Sequence, residues 1–229
     1  QSALALYARK RAALDGDVDG AAGDDETRKM RAGRILERGI AEFWAAEKGV
    51  ELIEPIELAL PVLKGGVSST PGTELAGVVF DMPPGRCLAP LSATPDYFAR
   101  AGDEPLPYLV EIKNVTPELR MDSDGKLLER VPAPSWKQGP PLIYAIQVMQ
   151  QMAVLRENGI DVAAAFLVGF MGGDEFVEYE IPWDDELWAL SREKLERFWT
   201  ENVLRSSPPL IDEHTTSDQV YAAYRKAAM

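Results

Sequence analysis

Asp96 follows Pro95, and after fourteen intervening residues comes Glu111-Ile112-Lys113. Two carboxylates and one ammonium in that order suit magnesium-dependent cleavage of a phosphodiester, because a hard cation takes oxygen ligands and helps activate the attacking water. Their spacing says how they would meet. Tyr108 to Val115 reads as a short apolar strand, in which alternation at period two sends Glu111 and Lys113 to one face and Val110 and Ile112 to the other. A neighbouring strand after the stretch Leu91 to Pro95 would set Asp96 beside Glu111. Taken alone, these residues also fit a plainer reading: the solvent face of a half-buried strand with a weak surface ion pair, and a Pro-Asp turn opener. What favours chemistry is the company they keep.

Two helices must hold that company in place. Thr27 to Glu47 contains helix formers throughout, with Asp24-Asp25 as a cap before it and Gly49 after it, which predicts a helix of about five turns. Projected at about 100° per residue, Glu37 falls on the apolar face with Met30, Gly33, Ile40, Ala41 and Trp44. Arg28, Arg31, Arg38 and Glu42 take the other side. A buried carboxylate costs several kcal/mol unless it is paired or binds a metal, so Glu37 is a candidate ligand, the alternative being a buried acid satisfied by an arginine. The second helix opens at Gly139-Pro140-Pro141 and closes at Gly159, and from Leu142 to Leu155 it is apolar nearly all round, as a helix buried against a sheet would be. Its exceptions are glutamines, of which Gln147 and Gln151 are four residues apart and share a face with Ile143, Tyr144 and Val154. Two amides therefore look toward whatever that helix covers.

Gly33 with Glu37, then Ala93-Thr94-Pro95-Asp96, then Leu109-Val110-Glu111-Ile112-Lys113, then Pro140-Pro141, Tyr144, Gln147 and Gln151 resemble, in that order, the YqaJ-like viral recombinases. These belong to the PD-(D/E)XK nucleases and include the phage lambda exonuclease. The segment from Ala3 to Lys10 is similar to the helix that precedes the catalytic Glu in that family, and the resemblance runs from residue 3 to about residue 205. It implies a restriction-endonuclease-like α/β fold, with a mixed central sheet flanked by helices, acting as a metal-dependent deoxyribonuclease. Asp96, Glu111 and the main-chain carbonyl of Ile112 would hold one Mg²⁺, for which Mn²⁺ substitutes, and Glu37 would complete the site or help hold a second ion. Lys113 would orient or deprotonate the attacking water, or stabilise transition-state charge, and Gln147 would position that water or a phosphate oxygen. Contacts to DNA are expected from Arg28, Arg31, Arg34, Arg38, Tyr144 and Gln151.

The resemblance further implies processive 5′ to 3′ digestion of double-stranded DNA ends and a ring-shaped homotrimer around the duplex. It also implies a single-strand annealing protein as partner in phage recombination, in the cytoplasm of a bacterial host. Two departures alter the loop beside the metal and the shape of the entrance. Tyr97 stands where the family often has Gly, and the link from Pro61 to Leu91 is long, with Val67 to Gly72 and Met82 to Arg86 rich in Gly, Pro and Ser. A metal motif specifies chemistry and not substrate topology, so an endonuclease or end-trimming nuclease shares these ligands. A catalytically idle DNA-binding or interaction module with the nuclease fold is the rival from another class.

With 229 residues, 46% of them hydrophobic, the chain can bury a substantial core, and nothing reads as a linker between two cores. One domain over 1–229 is expected, with its core at about 27–205, a basic helix at 2–14 and a terminal helix at 217–228. Cys87 is the sole cysteine, which excludes an internal disulfide and the four-cysteine iron-sulfur site of related nucleases. His214, in the polar segment 212–217, reads as solvated. No apolar run is long enough to span a bilayer, and Ala3 to Ala8 is followed too soon by Arg9-Lys10-Arg11 for a secretory segment, so no membrane association is expected. The formal charge of −13 opposes an acidic polymer. Counterion release acts locally, however, and basic residues are grouped at Arg9 to Arg11 and between Arg28 and Arg38, while acids collect in 15–26 and 174–186. A solvated face explains such runs equally well. The remaining chain reads as scaffold: Val162 to Phe170 and Phe176 to Ile181 form a hairpin around Gly172-Gly173, and Asp184 or Asp185 caps a helix that ends before Pro208-Pro209.

Overall fold

The computed structural model describes residues 3–16, 28–59, 78–131, 134–171 and 175–211. In chain order they form α1 (Ala3–Leu14), α2 (Arg28–Lys48), β1 (Glu51–Ile53), α3 (Pro55–Ala59), β2 (Phe80–Asp81), β3 (Ser92–Ala93), β4 (Tyr97–Arg100) and β5 (Tyr108–Asn114). There follow β6 (Glu118–Met121), β7 (Leu127–Val131), a 3-10 turn (Pro134–Trp136), α4 (Leu142–Glu157), β8 (Ala165–Phe170), β9 (Phe176–Glu180), α5 (Asp185–Arg197) and a π-helical segment (Phe198–Leu204). The Asp24-Asp25 cap, the 172–174 turn, His214, the helix expected at 217–228 and the loop residues 60–77 lie outside the described residues.

Five strands make one sheet in the order β1-β4-β5-β8-β9. β5 and β8 run parallel and every other pairing in it is antiparallel, so the fold is the α/β class with a mixed sheet that the sequence led us to expect. A parallel pair needs a long crossover, and α4 lies in the one between β5 and β8. The central strand β5 is covered on both faces, which is why Leu109, Val110 and Ile112 run together there instead of alternating with polar residues. On one face Val110, Ile112 and Val168 pack against Ile40, Ala41, Trp44 and Ala45 of α2. Burying a large apolar side chain completely is worth about 1.5–3 kcal/mol, so this layer holds α2 firmly against the sheet. α4 lies against the other face, where its Gln147 and Gln151 bond Glu111 of β5.

The elements begin and end close to where their residues predict. α2 stops at Gly49, whose φ of +66° is the left-handed conformation a helix end adopts, and α4 stops before Gly159 at +76°. Asp184 caps α5 by accepting from the N–H of Leu187 at 2.9 Å. The strand expected from Val162 starts only at Ala165, because the preceding residues turn to pass the edge of β5: the N–H of Ala163 donates to the carbonyl of Pro107 and that of Leu109 to the carbonyl of Ala164. The expected pairing of the strands at 162–170 and 176–181 is present as β8 with β9. The β6–β7 hairpin, a separate two-stranded ribbon, has no clear signal in the sequence.

By packing, the described residues fall into two compact units, one drawn from 1–26, 87–89 and 189–229, the other from 27–86 and 90–188. The first is built on Leu4, Tyr7 and Val203, with Phe198 and Trp199 packed against them. Within it Arg11 is committed to structure, donating to the carbonyl of Val203 at 3.2 Å and to Asp15 at 2.7 Å. Among the described residues no helix is long and apolar enough to cross a membrane.

Candidate active site

Asp96 and Glu111 are brought together by strand register. β4 and β5 pair antiparallel with Tyr97 opposite Val110, so Asp96, one residue before β4, comes alongside Glu111, one residue further along β5. Asp96 Oδ2 accepts from the N–H of Ile112 at 2.8 Å. Glu111 is 1% exposed, and such a carboxylate needs donors. It has three. The Lys113 ammonium and Gln147 Nε2, at 2.6 Å, both donate to Oε1, and Gln151 Nε2 donates to Oε2 at 2.8 Å. Gln151 also reaches the carbonyl of Thr94 at 3.4 Å, so α4 ties Glu111 to the segment that carries Asp96. Its own Oε1 is a buried acceptor with no hydrogen-bond partner. On the far side of Lys113 lies the Tyr144 ring, whose centroid is 5.4 Å from the ammonium nitrogen.

Like charges gather here. Burial, and then the neighbouring Glu111, hold the Asp96 carboxyl well above the usual aspartate range, against the opposing pull of Lys113. Burial also raises the Glu37 carboxyl, followed by Glu111, with Lys113 and Arg34 opposing. For Lys113, burial taken singly pulls its pKa down, but Glu111 and Asp96 together outweigh it and leave the ammonium held above its ordinary value. Glu37 therefore belongs to the same electrostatic cluster, reached from α2. Among the described residues, however, no three His, Cys, Asp or Glu side chains close around one point as a metal cage. The hard donors at hand are the carboxylates of Asp96 and Glu111 and the carbonyl of Ile112, with Glu37 standing off. That set of oxygen donors fits Mg²⁺, which keeps several waters and takes one or two carboxylates.

Arg31, Arg34 and Arg38 are exposed on α2; Arg38 is engaged with Glu42 at 2.8 Å, and Arg34 is near enough to Glu37 to oppose its shift. The side chain of Arg28 lies outside the described residues. Groups that the motifs did not mark out also contribute: the Ile112 N–H that holds Asp96, the Thr94 carbonyl that accepts from Gln151, and Trp136 with Gly169 behind Tyr144. A lone glycine inside the apolar run of β8 was the available signal, since it often marks close approach by another group.

The chain matches no known family's sequence profile and no curated protein. Among solved structures it is similar to the alkaline exonuclease LHK-Exo from Laribacter hongkongensis, with a TM-score of 0.48 at 18% identity, over 98% of this chain and 92% of that one. The complex of LHK-Exo with dAMP is similar at a TM-score of 0.47 and 17% identity, over the same shares of the two chains. By its name that neighbour is an exonuclease.

Proposed function

We propose that this protein is a divalent-cation-dependent deoxyribonuclease that hydrolyses phosphodiesters at double-stranded DNA ends. The observation that carries the reading is the pairing of Asp96 with Glu111 across β4 and β5, with the Lys113 ammonium on the same carboxylate. Asp96, Glu111 and the Ile112 carbonyl would hold the ion, and Glu37 would complete the site or help hold a second. When bound, such an ion supplies an activated water and neutralises charge growing on the phosphate and leaving oxygens. Lys113, its ammonium held above its ordinary pKa, orients the attacking water or stabilises the developing charge, and Gln147, exposed yet in reach of Glu111, positions that water or a phosphate oxygen. Gln151 keeps Glu111 in place from below. Arg28, Arg31, Arg34 and Arg38 of α2 meet the substrate backbone, giving a net-acidic protein a local cationic surface.

The finer reading follows the sequence resemblance: 5′ to 3′ polarity, a homotrimer around the duplex, and a single-strand annealing partner in phage-type recombination inside a bacterial cell. End-labelled linear and circular duplexes incubated with Mg²⁺, with Mn²⁺ and with chelator test it in one gel. Loss of label from linear duplex in either metal and not in chelator is expected. Cutting of the circle would make the protein an endonuclease, and no cleavage in any lane would leave an idle module with the fold.

A further inference from the structure

The face of the sheet that carries Glu111 and Lys113 has a gap in it. Gly169 of β8 is the register partner of Lys113 on β5 and so lies beside it on that face. A Cβ at Gly169 would stand 2.7 Å from Cζ3 and 3.0 Å from Cη2 of Trp136, nearer than real Cβ atoms approach. The absence of a side chain is thus what admits the indole, and Trp136 is only 3% exposed there. Its position is fixed twice more: the Tyr179 hydroxyl donates to its carbonyl, and the two rings lie 6.1 Å apart at 30°. Against the indole leans Tyr144, at 5.8 Å between centroids, and against the Tyr144 ring lies the Lys113 ammonium.

A lysine side chain has many rotamers to give up, so one ion pair does not hold an ammonium at a defined point. Here it is held from two sides, by the Glu111 carboxylate and by an aromatic face that attracts cations. We propose that Tyr144, backed by Trp136 seated on Gly169, is a positioning residue that fixes the Lys113 ammonium for the reaction. The inference rests on the catalytic reading of Lys113 given above and adds to it the device that aims that residue. What Tyr144 contributes is its ring, so the phenolic oxygen is dispensable.

Two measurements on the full chain test this. In steady-state cleavage of linear duplex with Mg²⁺, Tyr144→Phe should stay within about twofold of wild type, and Tyr144→Leu should lose about ten- to a hundredfold in kcat with KM little changed, as misplacement of a catalytic group does. In a Lys113→Ala background Tyr144→Leu should have no further effect. A raised KM, or an equal loss in both backgrounds, would mean that Tyr144 meets DNA directly and would overturn the proposal. The second measurement needs no activity: trace acylation of the metal-free protein, read at Lys113 by peptide mass spectrometry. Lys113 should react slowly in wild type and Tyr144→Phe and several-fold faster in Tyr144→Leu. Equal labelling in all three overturns the proposal. If wild type does not cleave but the labelling pattern holds, the nuclease reading falls while the tie between Tyr144 and Lys113 stands.

Discussion

Two glutamines donate to the same carboxylate, and burial sets the energies of the two bonds far apart. Gln151 Nε2 lies 2.8 Å from Glu111 Oε2 and the residue is 3% exposed; Gln147 Nε2 lies nearer, at 2.6 Å from Oε1, but belongs to an exposed residue. Replacing either by methionine keeps length and volume and removes the donor. At 147 water takes over the vacated site, so Gln147→Met should cost less than about 1 kcal/mol, in the range of an ordinary net hydrogen bond. At 151 no water can enter without disturbing the packing of α4, and Glu111 keeps a charged oxygen short of a donor. A hydrogen bond to a charged group is worth about 1.5–3 kcal/mol, and its loss in a buried place costs the upper part of that range. For a chain of this size about 1 kcal/mol moves the thermal midpoint by about 2–4 °C, so Gln151→Met should lower it by about 4–12 °C and Gln147→Met by less than about 4 °C. Thermal and urea unfolding in chelator measure both. In a Glu111→Gln background the effect of Gln151→Met should shrink, because the charge it serves is gone. Equal losses from the two methionine variants, or a larger loss at 147, would refute the claim that burial and not bond length decides.

Lys113→Ala should reduce cleavage by about a hundred- to ten-thousandfold, the usual range for acid-base groups, with duplex affinity in Ca²⁺ little changed; wild-type rates would reduce Lys113 to an ion-pair partner. Asp96 has a folded-state pKa raised by burial and by Glu111, so its contribution to stability is present below the ordinary aspartate value of 3.8 and is lost as pH rises through the folded value. In chelator, Asp96→Asn should therefore match wild type at acid pH and become progressively more stable than it as pH rises, seen in urea unfolding over a pH series; a gap that narrows with pH would reverse the assignment. Arg28, Arg31 and Arg38 changed together to Glu should weaken duplex binding in Ca²⁺ and flatten its salt dependence, while Lys194 and Arg197 changed to Glu should do little; matched losses would mean that net charge alone governs binding.

What could be read from the residues in order was local structure. Period-two alternation put Glu111 and Lys113 on one face, helical projection put Glu37 with Ile40, Ala41 and Trp44, and Gly49 and Gly159 ended their helices as their conformational freedom predicts. Each depends on neighbours within a turn or a strand, which a linear chain displays. Tertiary structure decided which side chains meet. That Glu111 takes Gln147 and Gln151 rather than an arginine follows from the α4 crossover between β5 and β8, and that Asp96 bonds the Ile112 N–H follows from the register of β4 on β5. The β6–β7 ribbon stayed hidden because its alternation, Glu118-Leu119-Arg120-Met121, is only a few residues long and its apolar side chains stay exposed, so no buried face marks it. Trp136 stayed hidden for a related reason: its place beside Lys113 depends on an absent side chain at Gly169, thirty-three residues away in sequence, and a missing atom has meaning only once the surrounding ones are in position.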